Sequence, residues 1–401
     1  MMAAAAPVPS ELLGVADAGG RVLRADLASL VDRPAADDSA LDGFACRVED
    51  TAGASESAPI ELELRGEAPA GAPFSGRLTA GQAVKIATGG LLPLGADGVI
   101  GVEHAEARAG RVVVRRPAAA DAVRPRGQDL RSGSTYLRSG MSLTSAAVGL
   151  AAAMGHGEVP VSRRPGVVIV TTGNEVIAPG RAAAGAAGPG QLYDANGAAL
   201  AAAARKAGCQ VLSVEYVPDD RAALREALGA HGRSDSPPDL IITTGGVSRG
   251  ERDVVRDVLT AENEVTFWRV KVRPAGPTMF GRFGGLAVLG LPGNPVSALV
   301  GFLLFGRAFI DASLGAAYPL PFHDRLPVKL AGSFPAQNKT VLHRAHLATN
   351  AGVLEARPFD NQSSGVLRSL VEADALVITP PSGDDRRGDE QGLAIDLKKH
   401  L

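Results

Sequence analysis

From Gly166 to Gly306 the chain repeats one unit: an apolar run, a loop stripped of side chains, then a helix-forming stretch. "GVVIVTTG", "QVLSVEYV", "DLIITTGG", "VTFWRVKV" and "LAVLGL" read as strands. "DANGAALAAAARKAG", "DDRAALREALGAHG", "ERDVVRDVL" and the stretch after "PGNP" read as helices. Buried strands alternating with helices require a parallel sheet wrapped by helices. In such sheets ligands sit beyond the carboxyl ends of the strands. Four loop-forming segments end at that edge: "TTGNE", "TTGGVSRGERD", "VRPAGP" and "LPGNP".

At 401 residues the chain exceeds a single core, so several domains are expected. Period-two alternation in "IELELRG", "AVKIATGG" and "GVIGVEHA" makes Cys46 to about Val114 β-like, and the same pattern returns in 319–401 as a small β-domain. "TSAAVGLAAAMG" carries an N-cap threonine and a closing glycine and reads as one helix. A net charge of −2 leaves no electrostatic footprint for nucleic acid. The two cysteines, Cys46 and Cys209, lie far apart in no paired motif, which argues against a disulfide framework or zinc site and fits a reducing cytoplasm. "MMAAAAPVPS" lacks the features of a signal peptide, and the apolar "PVSALVGFLLFG" is cut by Arg307 short of a membrane span. A cytoplasmic protein without membrane contact is expected.

At the sheet edge, Gly245, Gly246 and Gly250 let backbone N–H groups face an anion, and a helix starting near Glu251 adds its positive end. Ser248 supplies a hydroxyl and Arg249 a charge. A tight strand-to-helix turn explains the glycines equally well. Glu175 ends one strand, Asp253 lies one turn into a following helix, and Asp219 and Asp220 precede another, where acids usually cap. Glu175 and Asp253 beside a phosphate cradle point to Mg²⁺, which takes one or two carboxylates plus phosphate oxygens. Pro292, Gly293, Asn294 and Pro295 form a second cradle and also a helix start, with Asn294 as the cap. Gly180–Gly190, rich in alanine and glycine, reads as a mobile loop.

These segments together resemble the molybdopterin molybdotransferase family, bacterial MoeA and the gephyrin E domain. "DDSALDGFA" is similar to the family's "DNSAMDGYA", and "IATGGLLPLGADGVIGVE" to its "I-x-TGA-x-LP-x-GAD-x-VV-x-x-E". "RPRGQDLRSG", "TTGNEV", "LYDANG", "TTGGVSRGERD" and "GLPGNPVSA" follow in family order. The resemblance implies a MogA-like three-layer α/β domain at 161–318 and an elongated N-terminal α+β dimerisation domain from 1–44 and 130–160. It further implies an inserted β-rich domain at 45–129 and a small C-terminal β-barrel at 319–401.

The implied activity is the last step of molybdenum cofactor synthesis. Adenylylated molybdopterin is hydrolysed with release of AMP, and molybdate, the second substrate, enters at the dithiolene. Carried over by position, the catalytic set is Asp42, Thr88, Asp129, Glu175, Asp219 and Asp253, with Mg²⁺ on Glu175 and Asp253. Asp42 and Thr88 act across a homodimer interface. Arg124 and Asp129 match a polar pair of the family's connector, with Arg124 on the substrate, while Arg269, Arg273, Arg344 and Ser364 hold substrate or molybdate. The upstream adenylyltransferase and recipient molybdoenzymes are further expected partners. Departures are Gly276 for the second lysine of "KPGKP", Asp38 for asparagine, Ala195 for serine or threonine, and a largely missing N-terminal helix. A non-catalytic scaffold member of the family is the competing reading. A generic nucleotide-binding α/β protein leaves the first 130 residues unexplained.

Overall fold

The computed structural model describes every residue except 181–186, 249–252, 263, 318–323, 336 and 385–389. Gly250, Arg249 and most of the Gly180–Gly190 stretch therefore lie outside the described residues. The elements that carry the site are β1 (Gly166–Thr172), α1 (Asn196–Lys206), β2 (Gln210–Val217), α2 (Arg221–Gly232) and β3 (Leu240–Thr244). They continue with α3 (Val254–Ala261), β4 (Val265–Trp268), β5 (Met279–Phe283), β6 (Leu286–Leu291) and α4 (Pro295–Leu314). The sheet runs β2-β1-β3-β6-β5-β4, with β2, β1, β3 and β6 parallel. Residues of β1 and β3 are buried along their whole length, as strands covered on both faces must be.

At one edge the parallel-type sheet carries two antiparallel pairings. β5 pairs antiparallel with β6 through a Gly284–Gly285 turn, both glycines at positive φ, the dihedrals a two-residue hairpin demands. "VTFWRVKV" does not stay one strand. It leaves the sheet at Arg269, whose φ is +69°, and Val272–Arg273 joins the C-terminal barrel beside Thr340 and Val341. That barrel closes as Thr340–Asn350, Val353–Pro358, Leu326–Leu330, Gln391–Asp396 and Ala375–Thr379, the last pairing back to the first.

α4 also runs further than the composition implies. It spans 20 residues from Pro295 to Leu314 and passes Arg307 without a break, through a π-helical turn at Phe302–Gly306. Arg307 is tolerated because its Nε donates to both carboxylate oxygens of Asp311, at 2.9 and 3.1 Å. Its length and mean hydropathy of 1.5 would suffice to cross a membrane, but most of it is buried inside the protein. Ala298, Phe302 and Phe309 face the sheet, whereas Val296, Val300 and Leu303 belong to the core shared with the barrel. A helix buried on opposite faces must be apolar all round.

The first 160 residues form an arm whose outgoing and returning passes pair as short antiparallel rungs. Ser10–Gly14 pairs with Glu158–Ser162, Leu27–Ala28 with Thr135–Leu137, and Asp38–Ser39 with Val123–Arg124. Beyond the last rung sits a six-stranded sheet of residues 43–114. At the amino terminus lies a single 3₁₀ turn, Met2–Ala4. Met1, Ala4 and Val8 pack on the α/β core, and Arg282 Nη2 donates to the Ala4 carbonyl at 2.9 Å.

Candidate active site

At the carboxyl edge of β1, β3 and β6 lies a cavity of about 780 Å³. Its floor is backbone. Gly245 has φ +95° and Gly246 φ +66°, and a Cβ on Gly245 would stand 2.7 Å from Thr172 Oγ1 and 2.8 Å from Thr172 O. No other residue fits there, so the close approach is built in. Asn196 ties the floor to the second cradle: its Nδ2 donates to Thr244 Oγ1 at 2.8 Å and to Gly293 O at 2.7 Å. Pro292, Gly293, Asn294 and Pro295 line the same cavity, and so does Ser248. The two glycine cradles face one space.

Glu175, Asp219 and Asp253 all border it. The adjacent acids at α2 separate cleanly. Asp220 caps the helix by accepting from Ala223 N at 2.8 Å, which leaves Asp219 to the cavity. Asp253 occupies the N-cap position of α3, not an interior turn, and its side chain makes no capping bond. Asn294 likewise sits at the N-cap of α4 with no side-chain capping bond, and its Nδ2 donates to Ser364 Oγ at 3.1 Å. α1 is capped from Asp194, whose carboxylate accepts from Gly197 N and Thr171 Oγ1, so Ala195 leaves the cap intact.

A second cavity, also about 780 Å³, adjoins the first and shares Pro277, Pro292 and Asn294 with it. Arg269, Lys271, Arg273 and Lys339 line it, together with Ser364 and Gln362. Among the described residues, no carboxylate lines it. Gly276 is there too, its missing Cβ 3.1 Å from Val272 O. Arg344 borders neither cavity. It is 1% exposed, and its Nη2 donates to the carbonyls of Asn361 and Ser363, so it holds the loop that presents Ser364.

The N-terminal candidates line neither cavity. Thr88 N donates to Asp42 Oδ1 at 2.7 Å, joining those two residues. Arg124 and Asp129 have different partners. Arg124 forms a bidentate pair with Asp38 at 2.8 and 2.9 Å, a use for the aspartate in place of asparagine, and Asp129 faces Arg33 at 3.7 Å. Sequence reasoning missed Asn196, Lys271 and Lys339. Asn196 stood in the "LYDANG" motif, but the lysines carried no local signal.

Residues 168–312 match the family described as a probable molybdopterin binding domain, which sets the class of the α/β unit and its cradle. Residues 1–155 match the MoeA N-terminal region (domains I and II), and 327–390 the MoeA C-terminal region (domain IV). The chain is 35% identical over 387 residues to molybdopterin molybdenumtransferase 2 of Mycobacterium tuberculosis, covering 95% of this chain and 92% of that one. It is 31% identical to the molybdopterin molybdenumtransferase of Bacillus subtilis, covering 97% and 89%. The crystal structure of a molybdopterin biosynthesis MoeA protein from Pyrococcus horikoshii superposes with a TM-score of 0.82 at 26% identity, over 98% of this chain and 97% of that one. The chain belongs to the MoeA family of molybdopterin molybdenumtransferases.

Proposed function

We propose that this chain carries out the molybdopterin molybdenumtransferase reaction, in which molybdate is inserted into adenylylated molybdopterin and AMP leaves. The observation that carries the reading is the pair of adjoining cavities, one with carboxylates around a glycine floor and the other lined by four cations. The first suits a pyrophosphate with a divalent metal, the second a tetrahedral oxyanion. Hard carboxylate oxygens beside backbone N–H groups fit Mg²⁺, which keeps waters and shares phosphate oxygens. Glu175 and Asp253 would hold it. When bound, the ion neutralises charge on the phosphate oxygens.

The residues around it do the remaining work. The Gly245 N–H donates to the Leu291 carbonyl at 3.0 Å, so the backbone N–H groups of residues 246–248 bind the phosphates, and Asn196 keeps the two cradles in register. Asp219, which serves no helix cap, takes the proton of the attacking water. The bridging P–O bond then breaks and AMP departs. Arg269, Lys271, Arg273 and Lys339 hold molybdate next to the opened cofactor.

The test is AMP release from adenylylated molybdopterin with Mg²⁺ and molybdate. Glu175→Ala and Asp253→Ala leave the fold intact and lower the rate at least a hundredfold, the scale expected when charge stabilisation is lost. Wild-type turnover in both variants would refute the assignment.

A further inference from the structure

Trp268 touches neither cavity, yet three of its contacts lead to them. Its indole Nε1–H donates to the Val247 carbonyl at 2.9 Å. One guanidinium, that of Arg256, lies 5.7 Å from the ring centre, and a second, that of Arg269, lies 5.6 Å away. Arg256 in turn donates to the Ser248 carbonyl at 3.3 Å and stands 3.9 Å from Asp253 Oδ2. Val247, Ser248 and Asp253 line the carboxylate cavity, and Arg269 lines the cationic one.

The geometry has a direct chemical consequence. The Val247–Ser248 peptide is trans, so its carbonyl and its N–H point in opposite directions in one plane. Holding the Val247 carbonyl with the indole therefore sets the direction of the Ser248 N–H, one of the donors a phosphate would use. The ring separately steers Arg256 and Arg269 through the attraction of a guanidinium for an aromatic face. Arg269 is held in a left-handed backbone conformation, φ +69°, at the point where the chain crosses from the α/β sheet to the barrel.

We propose that Trp268 is a positioning residue coupling the two cavities: its N–H sets the phosphate cradle and its ring sets the oxyanion-binding arginine. This rests on the function proposed above and assigns the two parts of one side chain to the two substrates. Trp268→Phe keeps an aromatic face and removes the N–H. Trp268→Leu removes both. In Trp268→Phe, AMP release should fall about fivefold, the worth of one hydrogen bond, with the half-saturating molybdate concentration unchanged. In Trp268→Leu the rate should fall as far, and the molybdate requirement should also rise about threefold.

A Trp268→Phe enzyme with wild-type AMP release overturns the proposal. So does a loss of both readouts in the same proportion in both variants, the mark of a plain structural strut. If the wild type releases no AMP, the proposed function itself fails. The coupling is then judged by calorimetry with AMP and with sodium molybdate, where Trp268→Phe must weaken AMP alone. Equal weakening of both ligands, or of neither, sinks it.

Discussion

His343 is the side chain whose surroundings most change its chemistry. It is 4% exposed, packed edge-on against Phe334 with ring centres 5.1 Å apart, and its Nε2 lies 3.0 Å from Thr379 Oγ1. Burial, with the charges of Arg273 and Arg344 nearby, pushes it down from 6.5 to about 4. A histidine lowered in the folded state binds its proton more readily when unfolded. Its stabilising contribution is complete above about pH 6.5 and is lost as the pH falls toward 4, amounting to roughly 3 kcal/mol. His343→Gln should flatten that part of the thermal stability profile, and an unchanged pH difference between the two proteins would count against this account. At the same scale, four cations around Gly276 mean that the absent family lysine leaves the cavity cationic. Lys271→Ala is expected to raise the molybdate concentration for half-maximal insertion on the order of tenfold, and Gly276→Lys in that background to recover much of it. The check is molybdate titration, in which a Lys271→Ala curve overlying the wild type refutes the role.

At the scale of elements, α4 joins two parts of the molecule, because the α/β core and the barrel core both close on it. Its weak point is Arg307, whose carboxylate partner Asp311 is 3% exposed. Removing one member of a buried ion pair strands the other charge. Asp311→Ala should therefore destabilise the protein by about 3 kcal/mol, whereas replacing Arg307 and Asp311 together by leucine should restore most of it. Denaturant midpoints read the difference directly, and equal losses in the single and double variants would show that the pair is not the cause. The segment from Arg269 to Arg273 has the opposite role. By leaving one sheet for the barrel it brings Arg269, Lys271 and Arg273 to the same cavity wall as Lys339.

At the scale of the whole molecule, Asp42 and Thr88 are joined to each other but border neither cavity of their own chain. The arm that carries Asp42 exposes Leu12 by 68%, Leu30 by 60% and Val31 by 43%, apolar surface of the kind an assembly covers. We propose a symmetric homodimer in which the arm of one protomer completes the site of the other. Mixing inactive Asp42→Asn with inactive Asp253→Ala protein should then restore part of the AMP release in heterodimers. Failure to rescue, with subunit exchange demonstrated, would confine each site to a single chain.

What the sequence by itself determined is whatever depends on neighbours along the chain. Apolar runs ending in glycine placed the strand ends, and a parallel sheet gathers those ends on one edge, so Glu175, Gly245, Gly246 and Pro292 were found together. The Asp220 cap and the Thr144 cap are equally local. Tertiary structure decided what depends on partners far away in sequence. It split Val265–Val272 between two sheets, because barrel pairing at Thr340 competes with the α/β edge. It carried α4 past Arg307, because Asp311 neutralises the charge where both faces are buried. It turned Arg344 inward onto the 361–363 carbonyls and brought Lys339 to the wall that Lys271 lines. Period and propensity fix which way a strand or helix presents its apolar face. They carry no information on which distant charge that face will meet, and in this protein those meetings form the cationic cavity.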